Sequence, residues 1–282
     1  MVVTMERSES VITSAQNKYV SLARSLEDRK QRQKQRMYRT DGVKLFCEAV
    51  SRGVLPRFVL LREGSESDVF DKAKALYGID ADELDCLCLS VSAQTFDKLS
   101  AENAPEGIIC IMPYDEQMHR ELCGTDISVC EQEKVLLLES VRDPQNVGAI
   151  LRVAAAFSVD RVIMSRDCAD IYNSKAVRAS MGALFSLRID RVDNVVDAVD
   201  RLRSGGRRVF GAALDDKAKK LGTFDIMRGD CVMIGNEGHG IDANTLSFCS
   251  ESVYIPMSDG VESLNAATAA AVLAWEFFGK RV

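Results

Sequence analysis

The sequence predicts an α/β protein in two parts, a smaller N-terminal domain and a larger C-terminal one built on a parallel sheet. Three observations predict it. The chain has 282 residues, 46% of them hydrophobic, which is enough for one large domain or two ordinary ones with real cores. In its second half, short apolar runs alternate with helix-patterned stretches, the pattern of a parallel sheet covered on both faces. Between the halves the apolar pattern breaks up into acids and polar residues. The division therefore falls at 1–113 and 134–282, with a connection over 114–133.

Taken in order, the first feature is a basic run over 24–39. It holds Arg24, Arg29, Lys30, Arg32, Lys34, Arg36 and Arg39 against Glu27 and Asp28, and it lacks Gly and Pro. Strong helix formers dominate it. A solvated helix face and a contact for nucleic-acid phosphates explain it about equally well. The whole chain carries a net charge of -6, so any attraction for a polyanion must be local. Helical spacing follows at 42–51 and 68–77, and strand-like runs at 58–61, 86–91 and 108–112. In the second half, strands are expected at 135–138, 161–164, 209–213, 231–234 and 253–255. Helices are expected at 147–157, 174–181, 195–203 and 264–278.

Several classes are excluded. The most apolar stretch, 266–278, is interrupted by Thr268 and Glu276 and is shorter than the roughly 18 residues a spanning helix needs. The N-terminus turns charged before any apolar run, unlike a signal peptide. Nine scattered cysteines without a CxxC pair suggest reduced thiols and a cytoplasmic setting rather than a disulfide framework. With only His119 and His239, no metal site is expected.

Three segments that follow strands carry the functional argument, because open parallel sheets bind ligands at the carboxyl ends of their strands. The first is DPQNVGAILRVAAAF, over 143–157. Asp143 and Pro144 suit a helix start. The helix reads as apolar almost all round and therefore buried, with Arg152 its single charge among Gly148 and Ala156. A buried guanidinium needs an anion, either Glu237 or a ligand. The second segment, IGNEGHGI over 234–241, has the glycines of a close backbone approach. Its spacing is G-x-x-G-x-G, not the dinucleotide fingerprint, which disfavours a nicotinamide-dependent oxidoreductase. The third, IPMSDGVESLNAATAAAVLAWE over 255–276, places Ser263 and Asn265 at the start of an alanine-rich helix.

These three stretches, in this order and spacing, resemble the SpoU/TrmH branch of the SPOUT RNA methyltransferases. Arg178-Ala-Ser-Met-Gly182-Ala183 is a further family-like stretch. More weakly, GVKLFCEAVSRG and APEGIICIM are similar to the ribosomal-protein-like substrate-binding domain often fused to these enzymes. The resemblance implies a C-terminal parallel sheet closed by a deep trefoil knot, a rare exception to the rule against knots, with a smaller N-terminal α/β RNA-binding domain. It implies S-adenosyl-L-methionine held by Gly235, Ile255 and Leu264. The catalytic and RNA-contacting set implied is Asn146, Arg152, Glu237, Ser263 and Asn265. A homodimer whose partner completes the site is implied as well. After Asn265 this chain has Ala-Ala-Thr-Ala where the family tends to carry Val-Ser-Val-Ala.

The expected reaction is methyl transfer to a ribose 2′-hydroxyl of structured RNA, ribosomal in preference to transfer RNA, with no DNA and no membrane partner. Arg29, Lys30, Arg32, Lys34 and Arg36 are the expected RNA contacts. Arginine is a poor general base, so Arg152 is expected to bind phosphate and the incipient alkoxide. Glu237 and Asn146 are expected to orient it. Two alternatives on the same fold are a non-catalytic RNA-binding or assembly protein and an enzyme that methylates a base.

Overall fold

Asn17 and Asp28 start the first two helices, α1 (Lys18–Ser25) and α2 (Arg29–Gln35), by accepting backbone N–H groups of Tyr19 and Gln31. In the computed structural model, which describes residues 10–80, 86–100, 104–258, 260 and 263–280, these helices belong to the first of two compact units. That unit runs up to Tyr114 and takes in Tyr172–Phe185; the second comprises Asp115–Ile171 and the chain from Ser186. The first nine residues, read above against a signal peptide, lie outside the described residues.

The basic run is not one helix. A turn separates α1 from α2, and Arg36 ends α2 in the left-handed region at φ 52°. The chain then enters β1 (Met37–Asp41), α3 (Val43–Val50), β2 (Phe58–Arg62), α4 (Glu66–Tyr77), β3 (Leu87–Val91), α5 (Ala93–Leu99) and β4 (Ile108–Pro113). The four strands form one sheet in the order β1-β4-β2-β3. Only the β2/β3 pair is parallel. Leu60, Val91, Phe96, Ile109 and Ile111 fill the core between this sheet and the helices.

The second unit begins with β5 (His119–Leu122), inside the stretch expected to be a bare connection. β6 (Val135–Leu138), wholly buried, leads into α6 (Pro144–Ala156), capped by Asp143 on the N–H of Gln145 at 2.9 Å. After β7 (Arg161–Ser165) comes α7 (Ser174–Ser180), which belongs to the first unit. There Tyr172 stacks on Tyr114 at 3.9 Å and tilts against Tyr38 at 4.5 Å. The chain continues through β8 (Arg188–Val192), α8 (Val195–Ser204), β9 (Val209–Ala212), β10 (Lys219–Lys220), β11 (Cys231–Ile234), α9 (Ala243–Phe248), β12 (Glu251–Tyr254) and α10 (Ala266–Ala274).

All eight strands of this unit are parallel, in the order β10-β12-β9-β11-β6-β7-β8-β5. β11 lies between β6 and β9, and β12 lies on the far side of β9. The carboxyl ends of β6 and β11 are therefore neighbours, and α10 packs on α6. Val135, Leu137, Ile163, Val209 and Met233 belong to the buried core beside α8. No helix among the described residues is long and apolar enough to cross a membrane. All nine cysteines are free thiols.

Candidate active site

The strand ends fix the site. β6 runs into Glu139, a carboxylate only 6% exposed. It accepts the N–H of Asp242 at 2.8 Å and the hydroxyl of Thr245 at 2.6 Å. Burial pushes its pKa up, and the Thr245 hydroxyl and Asp242 N–H offset this only in part. Glu139 thus ties the end of β6 to the start of α9 and closes the loop after β11 from below.

That loop is held by its own backbone and by Asn236. The N–H of Asn236 donates to Gly240 O at 2.8 Å and the N–H of Gly240 donates back at 2.9 Å. The Asn236 side-chain oxygen accepts from Gly238 and His239, while its amide donates to Ser140 O at 2.8 Å. A Cβ on Gly235 would lie 2.3 Å from the Gly240 carbonyl carbon. Glycine is required there for close packing of the loop on itself. His239 is exposed, as a loop residue.

The loop presents Glu237. Its Oε1 accepts from Asn146 Nδ2 at 2.9 Å and from the Asp143 N–H at 3.4 Å, and its Oε2 accepts from the Arg142 N–H at 3.4 Å. Burial works to raise its pKa, but these donors outweigh burial and hold it below the ordinary value. Asn146 in turn accepts Asn265 Nδ2 at 2.9 Å. The oxygen of Asn265 caps α10 through the N–H groups of Ala267 and Thr268. A continuous chain Glu237–Asn146–Asn265 therefore links all three segments singled out in the sequence.

The other expected residues divide. Gly235 is buried, and Ile255 and Leu264 are half-buried. Their backbone N–H and C=O groups make no hydrogen bond to other described backbone groups. Main-chain groups left without such backbone partners fit an adenosyl group held by main-chain atoms. Ser263 is exposed and makes no hydrogen bond with another described residue.

Two expectations are corrected. Arg152 is exposed, not buried, and has no hydrogen bond or ion pair among the described residues. It lies six residues beyond Asn146, about 9 Å further along α6 and about 120° around it, so one chain does not join it to Glu237. The helix looked apolar all round because of its alanines, and Ala156 is too small to require burial. Arg32 is the second correction. It is 3% exposed and its guanidinium donates to the carbonyls of Leu26 at 2.8 Å and Glu27 at 2.7 Å. It braces the turn between α1 and α2, whereas Arg29, Lys30, Lys34 and Arg36 are exposed.

Sequence reasoning missed Glu139 and a polar cluster beside it. Ser140, at φ 55°, donates through Oγ to Asp167 at 2.6 Å, as does Ser165. Burial opposes ionisation of Asp167, yet the two hydroxyls and the Arg142 guanidinium hold its pKa below the usual carboxylate range. A charged residue ending the apolar run VLLL was the available signal for Glu139. A cleft of about 440 Å³ bounded by Lys134, Asp160, Arg228 and Phe278 lies at the opposite, amino ends of the strands and takes in none of these residues.

Comparison with known proteins identifies the family. The SpoU rRNA Methylase family matches residues 133–275, and an MRM3-like substrate binding domain matches residues 17–110. The chain is 29% identical to the 23S rRNA (guanosine(2553)-2'-O)-methyltransferase RlmP of Bacillus subtilis, over 95% of this chain and 99% of that protein. It is 33% identical to the 23S rRNA (uridine(2479)-2'-O)-methyltransferase of Streptomyces viridochromogenes, over 55% of this chain and 56% of that one. In fold it is similar to the AdoMet-bound rRNA methyltransferase from Sinorhizobium meliloti, with a TM-score of 0.79 and 24% identity over 97% of this chain and 98% of the other.

Proposed function

This chain belongs to the SpoU rRNA methylase family, and we propose that it methylates a ribose 2′-hydroxyl of ribosomal RNA at the site formed by Glu237, Asn146 and Asn265. It is an S-adenosylmethionine-dependent RNA 2′-O-ribose methyltransferase. The observation that carries the site assignment is the hydrogen-bond chain through these three side chains. Gly235, Ile255 and Leu264 hold the cofactor through main-chain groups, and the bound cofactor supplies an electrophilic methyl on a sulfonium.

What remains for the protein is the nucleophile, since a ribose hydroxyl is a weak acid. Arg152 binds the RNA phosphate and the oxygen on which charge develops, lowering the energy of that charge; a guanidinium is a poor general base and it does not serve as one. Glu237, held ionised, and Asn146 orient the groups that meet the ribose. Ser263 and Asn265 contact the nucleotide or the methyl-donor side.

Because Arg152 stands apart from Glu237 within one chain, we assign the complete site to a homodimer in which the partner copy brings its own network to this arginine. Val272 and Trp275, 37% and 51% exposed, with Trp275 against Phe157 at the end of α6, offer an apolar surface for that contact. The order of β9, β11 and β12 accords with a knotted C-terminal segment. The N-terminal unit, through Arg29, Lys30, Lys34 and Arg36, engages structured RNA in the cytoplasm.

The deciding experiment incubates purified protein and labelled S-adenosylmethionine with total RNA from cells lacking this activity, then maps the label by mass spectrometry. Label on a ribose of ribosomal RNA is expected. Label on a base, or no transfer, would sink the proposal.

A further inference from the structure

The stretch Arg178–Ala183, singled out in the sequence, has no part in the site described above. In the structure its arginine is an anomaly. Among the described residues, eight other arginines are buried or half-buried: Arg32, Arg39, Arg62, Arg120, Arg161, Arg191, Arg207 and Arg208. Every one of them spends its guanidinium on a carbonyl or a carboxylate. Arg178 is half-buried and has no hydrogen bond or ion pair with any described residue. A cation partly withdrawn from water without a counter-ion is costly to keep.

Its surroundings point to an anion. Arg178 lines a small cavity with Arg39, Thr40, Asp41, Ser174 and Val177, all in the first unit. Asp41 pairs with Arg39 through both oxygens, at 3.0 and 2.9 Å, and not with Arg178; the remaining Arg39 nitrogen reaches Glu27 at 3.3 Å. Both nearby carboxylates, Asp41 and Glu27, are thus engaged by Arg39, and neither forms an ion pair with Arg178. The Thr40 hydroxyl, in a residue 2% exposed, has no hydrogen-bond partner beyond its weak cross-strand neighbour, the Cys110 thiol. The cavity is about 10 Å³, room for about one water, so an anion larger than water would have to bind at its mouth.

The backbone is also held where it needs to be. α7 ends at Met181, left-handed at φ 50°, followed by Gly182 at φ +93°. A Cβ on Gly182 would lie 2.8 Å from the Glu48 side chain. Two successive positive φ values pressed against α3 fix the last turn of α7, and such local strain gathers at functional positions.

We propose that Arg178 is a phosphate-binding residue of the first unit, reading one backbone phosphate of the RNA substrate at the mouth of the Arg39–Thr40–Asp41 cavity. The proposal rests on the RNA methyltransferase reading for the identity of its ligand. It adds a contact outside the basic run and outside the residues of the methyl-transfer site.

The test uses the full chain and a fluorescein-labelled 30-nucleotide single-stranded RNA of mixed sequence, with dissociation constants measured from about 50 to 200 mM salt. Arg178→Ala is expected to weaken binding about tenfold at low salt. It should also reduce the slope of log affinity against log salt by about 0.7, the share of one phosphate on a single strand. Arg178→Lys is expected to retain the slope. Without RNA, Arg178→Ala is expected to melt no lower than the wild type, since it removes an unpaired charge. An unchanged affinity and slope overturns the proposal. So does a lowered melting temperature or a changed oligomeric mass in Arg178→Ala, either of which makes the arginine a structural or subunit contact. Failure of the wild type to transfer methyl would overturn the enzymatic reading instead, and is scored separately from RNA affinity.

Discussion

Asn146 and Glu237, ninety-one residues apart, meet at 2.9 Å with the amide donating to the carboxylate. The direction of that bond is fixed from the other side, because Asn146 accepts from Asn265, whose own oxygen is committed to the start of α10. The amide therefore cannot reverse without losing two bonds. One asparagine therefore bonds both Glu237, as one of the donors that hold its pKa down against burial, and the residue that caps α10.

Replacing it tests that coupling. Asn146→Asp places a second carboxylate against Glu237 and is expected to cut turnover by about 100-fold or more, the scale of one lost electrostatic contact. Asn146→Ala is expected to cost less, since it removes a donor without adding a charge. Single-turnover methylation rates for both variants check the order; equal losses would contradict it.

Arg152→Ala is expected to leave S-adenosylmethionine binding, measured by calorimetry, close to wild type while lowering turnover at least about 100-fold. The exposed position of Arg152 means that this change should hardly affect folding. Wild-type turnover in the variant would remove the role assigned to it.

Glu139 gives a pH signature. Its pKa is raised from 4.5 by burial, so the folded protein binds this proton more tightly than the unfolded chain. Its contribution to stability should therefore fall as pH climbs from about 4.5 through the raised value, and stay level above it. Glu139→Gln has nothing to titrate there. Urea unfolding from pH 4 to 7 is expected to show a flatter profile for the variant than for the wild type.

Gly235→Ala forces a methyl group into the Gly240 backbone. The expected cost is about 1–3 kcal/mol of stability, as for an overpacked interior, together with weakened cofactor binding from the displaced loop. Thermal melting and calorimetry read the two effects separately.

Trp275→Glu places a charge on the apolar surface proposed for the partner copy. Light scattering is expected to shift from the mass of a dimer to that of a monomer, with methyl transfer lost in parallel. An unchanged mass would show that the copies do not meet through α10.

Much of this architecture was legible in the residues themselves. The runs VLLL, CVMI and VFGA announce buried parallel strands because nothing in them seeks water. Asp143-Pro144 and Asn265 announce helix starts through chemistry confined to a single turn. β1 and β8 were not legible, and the reason is physical. MYRTD and RIDRV bury their charges: Arg39 pairs with Asp41, and Asp190 holds both Arg161 and Arg120. Strands of this kind read as exposed until folding brings each charge onto its partner, within the strand for Arg39 and across strands for Asp190.

By itself, then, the sequence determined the parallel α/β plan, the three segments proposed for the methyl-transfer site and the family to which they belong, because each is encoded within one strand, one turn or one helix. Tertiary structure alone decided that Arg32 turns inward, that Arg152 faces outward, that Tyr172–Phe185 joins the N-terminal unit, and that Glu237, Asn146 and Asn265 share one hydrogen-bond chain. These outcomes depend on what each side chain meets after folding, which local pattern does not encode; in the hydrogen-bond chain the partners lie 91 and 119 residues apart.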